Sequence, residues 1–365
     1  MVGGAIGGLA AARALAACEA EVTVLERRPE GAGEGAGLLL YPPAGHALER
    51  LGALEAFERG SVVLAGIQTF DHRGRLLYHF DATGFAAKYG HPLRGVNRGD
   101  LLAALEFETR RGITVTDVKV ADEVRARTEQ GWLTADVLVG ADGIRSRVRE
   151  ALGLGAEPRR TGWVAWRGVA PAPPDLDRTL AAVVVGRGRH GGWLPVAGDR
   201  VYWFLTGDAG ETRIPAEVEK WAGPLPGLIA STDPGVVLFN ELLDRDPDSR
   251  WGRGAVTLVG DAAHAMLPSM AQGANQALED AAVLLEEMRK HGVGTQAFRA
   301  YERRRAGRTA RVVKLSRQVM PVFQWRRLPA RWLRARLLAL PQSLTEGRTE
   351  WLYRGDAGPA SVSGA

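Results

Sequence analysis

Two hydrophobic periods alternate along this chain, and their order predicts an α/β protein interrupted by a sheet-rich block. Gly3-Gly-Ala-Ile-Gly-Gly8 leads into alanine-rich Leu9–Ala17, a predicted helix, and then Glu21–Glu26, whose alternation predicts a strand. Only Met1 and Val2 stand ahead of the glycines, so the strand expected there is truncated or begins before the recorded sequence. Gly31–Gly37 reads as a flexible loop and Ala44–Leu54 as a short helix. Ile67–Phe70 and Leu76–Phe80 read as a hairpin about His72–Gly74, Asp100–Arg110 as a helix, and Asp136–Gly140 as a buried strand. Trp163–Val169, Leu180–Val185 and Val201–Thr206 read as strands, with Gly186–Gly192 as a glycine-rich loop among them. That block predicts a sheet-based domain inserted between α/β pieces. Val256–Val259 is a further buried strand, and Gln272–Lys290 a long helix with Gly292 as its stop.

Composition narrows the class. The 365 residues are 45% apolar and 24% charged, which supplies a core and excludes a disordered chain. No apolar run is long enough for a membrane span, so no integral membrane segment is expected. A single cysteine, Cys18, excludes an intrachain disulfide and a cysteine zinc cluster; no metal site is expected, and a reducing cytoplasm fits. The formal net charge is +5, and arginines concentrate at Tyr301–Arg311 and at Arg326, Arg327, Arg331, Arg334 and Arg336. Val312, Leu315, Val319, Phe323, Trp332 and Leu333 interleave at helical spacing. Solvated faces of C-terminal helices are the expected reading, and no nucleic-acid partner is.

The glycine turn is a dinucleotide fingerprint in its proper context. Gly3 permits the tight turn, and Gly8 lets helix and strand approach. The helix N-terminus then offers N–H groups and a positive dipole end to a pyrophosphate. Glu26 closes the next strand, where a carboxylate can accept from ribose hydroxyls. The middle glycine of the fingerprint is replaced by Ala5, whose methyl would crowd the phosphate.

Two later segments carry more. Asp136-Val-Leu-Val-Gly-Ala-Asp-Gly-Ile-Arg-Ser-Arg-Val-Arg149 resembles the DG fingerprint of flavoprotein monooxygenases. Gly260-Asp261, with Ala-Ala-His264, Pro268 and Gln272-Gly-Ala-Asn275, resembles their GD motif. Arg98-Gly-Asp-Leu101, Thr161–Gly168, Trp193-Leu-Pro195 and Tyr202-Trp203 resemble further family segments. The chain therefore resembles the group A FAD-dependent monooxygenases, of the aromatic-hydroxylase type that includes salicylate and 3-hydroxybenzoate hydroxylases.

The resemblance implies a Rossmann-like FAD-binding domain in three parts (1–66, 91–162 and 252–292). A β-sheet substrate domain (67–90 and 163–251) is inserted between them, and a C-terminal helical region covers 293–365. It implies FAD as bound cofactor, held by Gly3, Gly4, Ala5, Gly8, Glu26, Arg27, Arg98, Asp142, Gly143, Asp261, Gly273, Ala274 and Asn275. Asp261 would bind ribityl or ribose hydroxyls, and Arg98 the pyrophosphate. NADH or NADPH would be a transient cosubstrate, met by the segment of Arg145, Arg147 and Arg149, of which at least one should be a surface charge. O2 and a small, phenolic aromatic substrate complete the reaction, through a flavin C4a-hydroperoxide. Pro268 would lie on the oxygen-reacting side, with His264 shaping its loop. The family places a substrate-facing histidine near His190, where an imidazole of ordinary pKa, about 6.5, could take a phenolic proton. The bland alternative is an exposed loop histidine. Competing chemistries of the same fold are an epoxidase, a reductase, a halogenase (whose tryptophan signature is missing) or an impaired flavin-binding relic. A cytoplasmic monomer or homodimer is expected.

Overall fold

The computed structural model describes residues 1–30, 36–121, 123–155, 157–338 and 342–356. The loop expected at Gly31–Gly37 lies mostly outside the described residues, and Gly37 itself opens the strand Gly37–Leu40.

A parallel sheet organises the first layer. Thr109–Arg111 pairs with Val24–Glu26, and Leu138–Gly140 pairs with Val256–Leu258. Val2 joins the two halves through bridges to Leu25 and Gly140. Its hydrogen bonds are those of a strand: Val2 N–H donates to Val139 O at 3.0 Å, and Ala141 N–H to Val2 O at 2.7 Å. Two residues thus fill the slot of the expected first strand. The helix Ile6–Ala16 buries Ala10, Ala11, Ala12 and Ala14 completely, and these small side chains let it lie close to the helix Gly273–His291.

Three local expectations are corrected. Ala44–Leu54 is two helices, Pro42–Arg50 and Leu54–Arg59, because Gly52 takes a left-handed φ of 65° between them. The helix expected to reach Arg110 is Arg98–Ala104; Thr109–Arg111 is claimed by sheet pairing, which outweighs local propensity. Gly186–Gly192 is no free loop, since His190–Val196 is a fully buried strand. A strand covered on both faces shows no polar alternation, so the pattern was invisible.

That strand sits in a seven-stranded sheet ordered Leu238–Asp244, Arg159–Pro171, Arg200–Asp208, His190–Val196, Leu180–Val185, Gly66–Asp71 and Leu76–Asp81. Its glycines have a packing reason. A Cβ on Gly192 would lie 2.1 Å from Ala182 O and 2.9 Å from the Phe204 ring. The faces separate cleanly. Trp193, Trp203 and Leu205 join one core beneath Leu225–Ala230, whereas Leu194, Tyr202 and Phe204 turn toward the antiparallel sheet of Gly37–Leu40, Leu93–Asn97 and Ser61–Leu64. Tyr202 presses on Gly37, where a Cβ would meet it at 2.4 Å. The aromatic set read from the sequence therefore splits between two cores.

The helix Thr295–Phe323 crosses both layers. Its arginines are not all solvated as expected: Arg305 is completely buried, and Arg334 on the next helix, Leu328–Leu338, is 3% exposed. Buried carboxylates of Glu279 and Asp280 hold Arg305, and the carbonyls of Phe323 and Gly186 hold Arg334.

Candidate active site

The carboxyl ends of the parallel strands converge, which is where open α/β sheets bind ligands. Gly3 leaves the first of them at φ 102°, and a Cβ on it would lie 2.3 Å from Ala141 O. On Gly8 the same atom would lie 1.9 Å from Gly3 O. The turn admits no side chain at either position. Gly4 N–H donates to Glu26 Oε2 at 2.7 Å, and Arg28 N–H to Oε1 at 2.9 Å, so the turn itself orients the Glu26 carboxylate. Arg27, beside it, is exposed. Ala5 sits at the N-cap of Ile6–Ala16 in ordinary extended backbone, half-buried, and no side chain caps the helix. Its first N–H groups remain available to an anion.

Asp261 follows Gly260 at the end of Val256–Leu258 and reaches open space, with no hydrogen bond to its carboxylate among the described residues. Surrounding protein raises its pKa, and the charges of His264 and Arg98 pull it back. Half-buried Arg98 has its own pKa lowered by burial, with Asp261 and Glu26 favouring its charge. Its guanidinium makes no hydrogen bond or ion pair among the described residues. An uncommitted cation between two carboxylates suits a pyrophosphate.

Asp142 is differently engaged. It accepts from Ser146 Oγ at 2.5 Å, Arg147 N at 2.7 Å and Val148 N at 3.2 Å, and so builds the start of the helix Arg147–Ala151. Burial raises its pKa against these bonds. Gly143, at φ 82°, has nothing within 4 Å of where a Cβ would stand. Of the three arginines that follow, Arg145 and Arg147 are exposed, and Arg149 is buried against Ala262 O and Asp248.

At Gly273–His291 the N-cap Gln272 supplies no side-chain cap, and the space beside Gly273 is open. The N–H groups of Gly273 and Ala274 can therefore face a ligand. Asn275 instead ties the helix down, donating to Leu39 O and Ala271 O and accepting from Tyr41 N. Pro268 is exposed at the head of the turn Pro268–Met270. Beneath this loop His264 Nε2 meets Asp280 Oδ2 at 2.6 Å, and Asp280 also accepts from Gly260 N and Arg305 Nε. Burial pushes Asp280 up, but His264 and Arg305 outweigh it and hold the carboxyl at about 2.

Two uncapped helix N-termini, a turn without side chains, two ribose-ready carboxylates and a free arginine fit FAD. Residues 1–316 match the FAD binding domain family. The chain belongs to this family of FAD-dependent monooxygenases. It is 30% identical over 359 residues to the aurachin C monooxygenase/isomerase of Stigmatella aurantiaca, covering 94% of each chain. It is 33% identical over 361 residues to 3-hydroxybenzoate 6-hydroxylase 1 of Aquipseudomonas alcaligenes, covering 87% of each. Klebsiella pneumoniae HpxO, complexed with FAD and uric acid, superposes with a TM-score of 0.88 at 26% identity, over 98% of this chain and 97% of that one.

On the sheet side of this monooxygenase stands His190, 4% exposed, between Phe204 and Phe323 at ring-centroid distances of 5.7 and 5.0 Å. Thr206 Oγ1 donates its one proton to His190 O at 2.8 Å and accepts from His190 N at 3.1 Å. Thr206 Oγ1 also lies 3.0 Å from His190 Nδ1. Nε2 of the ring has no hydrogen-bond partner among the described residues. Burial and the charge of Arg334 push the pKa down to about 3. The ring is thus buried in a strand and not exposed on a loop, and its pKa is pushed below the ordinary value. Thr206 and Gln324, which donates to Thr206 at 2.9 Å, carry no motif and escaped the sequence reading. A surface cavity of about 490 Å³, lined by Gln68, Asp175, Leu180 and Trp193, opens on the other face of the sheet, away from this chemistry.

Proposed function

We propose that this monooxygenase inserts one atom of O2 into a small phenolic ring held against the Leu194, Tyr202 and Phe204 face, with NADH or NADPH as reductant. When bound, FAD supplies hydride acceptance and oxygen activation. The chain supplies position and polarity. Arg98 pairs with the pyrophosphate, Asp261 and Glu26 accept from hydroxyls, and the N–H groups of Gly273 and Ala274 face the flavin's electron-rich edge. A helix terminus favours negative charge there by about 0.3–2 kcal/mol.

The observation that carries the substrate reading is the buried His190 ring, packed between Phe204 and Phe323 with no partner on Nε2 among the described residues. With its Nε2 lone pair turned to a ring hydroxyl, a neutral imidazole accepts that hydrogen bond and raises electron density in the ring. The apolar neighbours exclude water from the reacting centre. The named activities of the relatives, 3-hydroxybenzoate 6-hydroxylase among them, support a hydroxylated aromatic. We infer a cytoplasmic monomer or homodimer; among the described residues no helix is long and apolar enough to cross a membrane.

The test is NAD(P)H consumption across phenols, hydroxybenzoates, purines and polycyclic aromatics under isotopically labelled O2. A coupled substrate should gain one labelled oxygen. Label arriving from water, or no coupled aromatic in the set, would overturn the proposal.

A further inference from the structure

Away from the flavin residues, two histidines and a glutamate meet where the helix Pro42–Arg50 faces the turn after Phe85–Tyr89. His46 and Glu49 lie three residues apart on the helix and so share a face. His91 follows Gly90, which caps Phe85–Tyr89 at φ 86°. One donor atom from each residue lies within 4.8 Å of the others. Glu49 Oε2 stands 3.9 Å from His46 Nδ1 and 3.5 Å from His91 Nε2.

The surroundings are built for these rings. A Cβ on Gly45 would lie 2.5 Å from His91 Cγ, and one on Gly90 would lie 2.7 Å from His46 Cε1. Each glycine makes room for one imidazole, and the rings pack edge to face at 4.5 Å. His46 Nε2 lies 2.8 Å from Tyr89 O, which can only accept, so the proton sits on Nε2 and the lone pair on Nδ1. That Nδ1 is buried and has no partner. A histidine that donates one ring N–H to a backbone carbonyl and aims the other nitrogen at a carboxylate has the arrangement of a metal ligand.

We propose that His46 Nδ1, His91 Nε2 and the Glu49 carboxylate bind one divalent transition metal of the zinc class. Two neutral imidazoles and a carboxylate suit such an ion. Tetrahedral ligation needs donor atoms about 3.4 Å apart, so the site must contract slightly. Glu49, 53% exposed at its side chain, is free to supply that movement and to leave a fourth position for water. The ion would fasten Pro42–Arg50 to the segment leading into Leu93–Asn97, the strand that delivers Arg98.

The test uses FAD-loaded protein stripped with a chelator and titrated with zinc alone, against a competing fluorescent chelator. Wild type should take up one zinc per chain, and X-ray absorption at the zinc edge should show two imidazole nitrogens. Glu49→Gln, at an exposed position, and His91→Gln should each weaken binding by at least about tenfold. Zinc should raise the melting temperature of wild type more than that of either variant. Absence of stoichiometric uptake, unchanged affinity in both variants, or an absorption spectrum of oxygen ligands only would overturn the site and leave a water between Nδ1 and Glu49.

Discussion

Lowering the pH from 7.5 to 5 should leave His190 uncharged, although an ordinary imidazole would be almost wholly protonated by then. With its pKa held at about 3 by burial and by Arg334, roughly one molecule in a hundred carries the charge at pH 5. The sign of the stability effect follows from the unfolded value of about 6.5. Above that pH both states are neutral and His190 contributes no pH dependence. Below it the unfolded chain binds a proton that the native chain refuses, so stability falls from pH 6.5 down to about pH 3 and then levels. The loss is about 2 kcal/mol by pH 5 and about 5 kcal/mol in full. Long-range proton–nitrogen spectra of histidine-labelled protein should show His190 as a neutral imidazole throughout pH 8 to 5. Denaturant midpoints should fall less steeply with acid in His190→Gln than in wild type. A midpoint near 6.5 for this ring would refute the reasoning. Catalysis should answer in kind: His190→Ala should keep NAD(P)H-driven flavin reduction while coupled hydroxylation drops by about 1–3 kcal/mol of lost hydrogen bonding, with peroxide released instead.

Three further outcomes follow from the cofactor side. Asp261→Asn should weaken FAD binding by about 1.5–3 kcal/mol, roughly tenfold to a hundredfold, because its carboxylate has no protein partner to lose; titration of apoprotein with FAD measures this, and an unchanged dissociation constant counts against the role. Ala5→Gly should leave FAD affinity equal or tighter in the same titration, since the backbone at Ala5 is unstrained and only the methyl opposes the phosphate; weaker binding would mean the turn is built around that methyl. Asp280→Ala should destabilise the protein by about 3–5 kcal/mol in thermal or denaturant unfolding, because it strands Arg305 in the interior; a loss below about 1 kcal/mol would show that Glu279 and Asp356 suffice.

Legibility followed the physics of each element. The glycine turn, Glu26, the DG segment and the GD loop could be read because close backbone approach and strand-end carboxylates tolerate few residue types. The hairpin of Gly66–Asp71 and Leu76–Asp81 announced itself by its turn. The strand His190–Val196 did not, since buried glycines there serve packing against Phe204 and look the same as loop glycines in one dimension. Asp142 and Asn275 were legible as motif members, yet their side chains are spent on the helix Arg147–Ala151 and on Leu39 and Tyr41. Composition cannot say which side of a strand-end residue faces ligand and which faces protein.

The C-terminal arginines carry the last step. Charge counting assigned them to solvent, because nothing in a sequence shows which carboxylates wait in the interior. Arg305 donates to Asp280, Glu279, Asp356 and the Gln276 side chain, all from complete burial. Burial alone would disfavour its charge, but Glu279 and Asp280 outweigh that and strengthen it. Asp280 in turn holds both His264 and the Gly260 amide. Gly260 is the residue before Asp261, and Gln276 lies on the first turn of the helix whose N-terminus is proposed to face the cofactor. One arginine on Thr295–Phe323 therefore braces both elements proposed to hold the flavin. Its anchoring is mostly ionic and buried, so removing a single partner is costly while the intact set holds one arrangement. The helical tail that looked like surface is, at this point, the support of the active site.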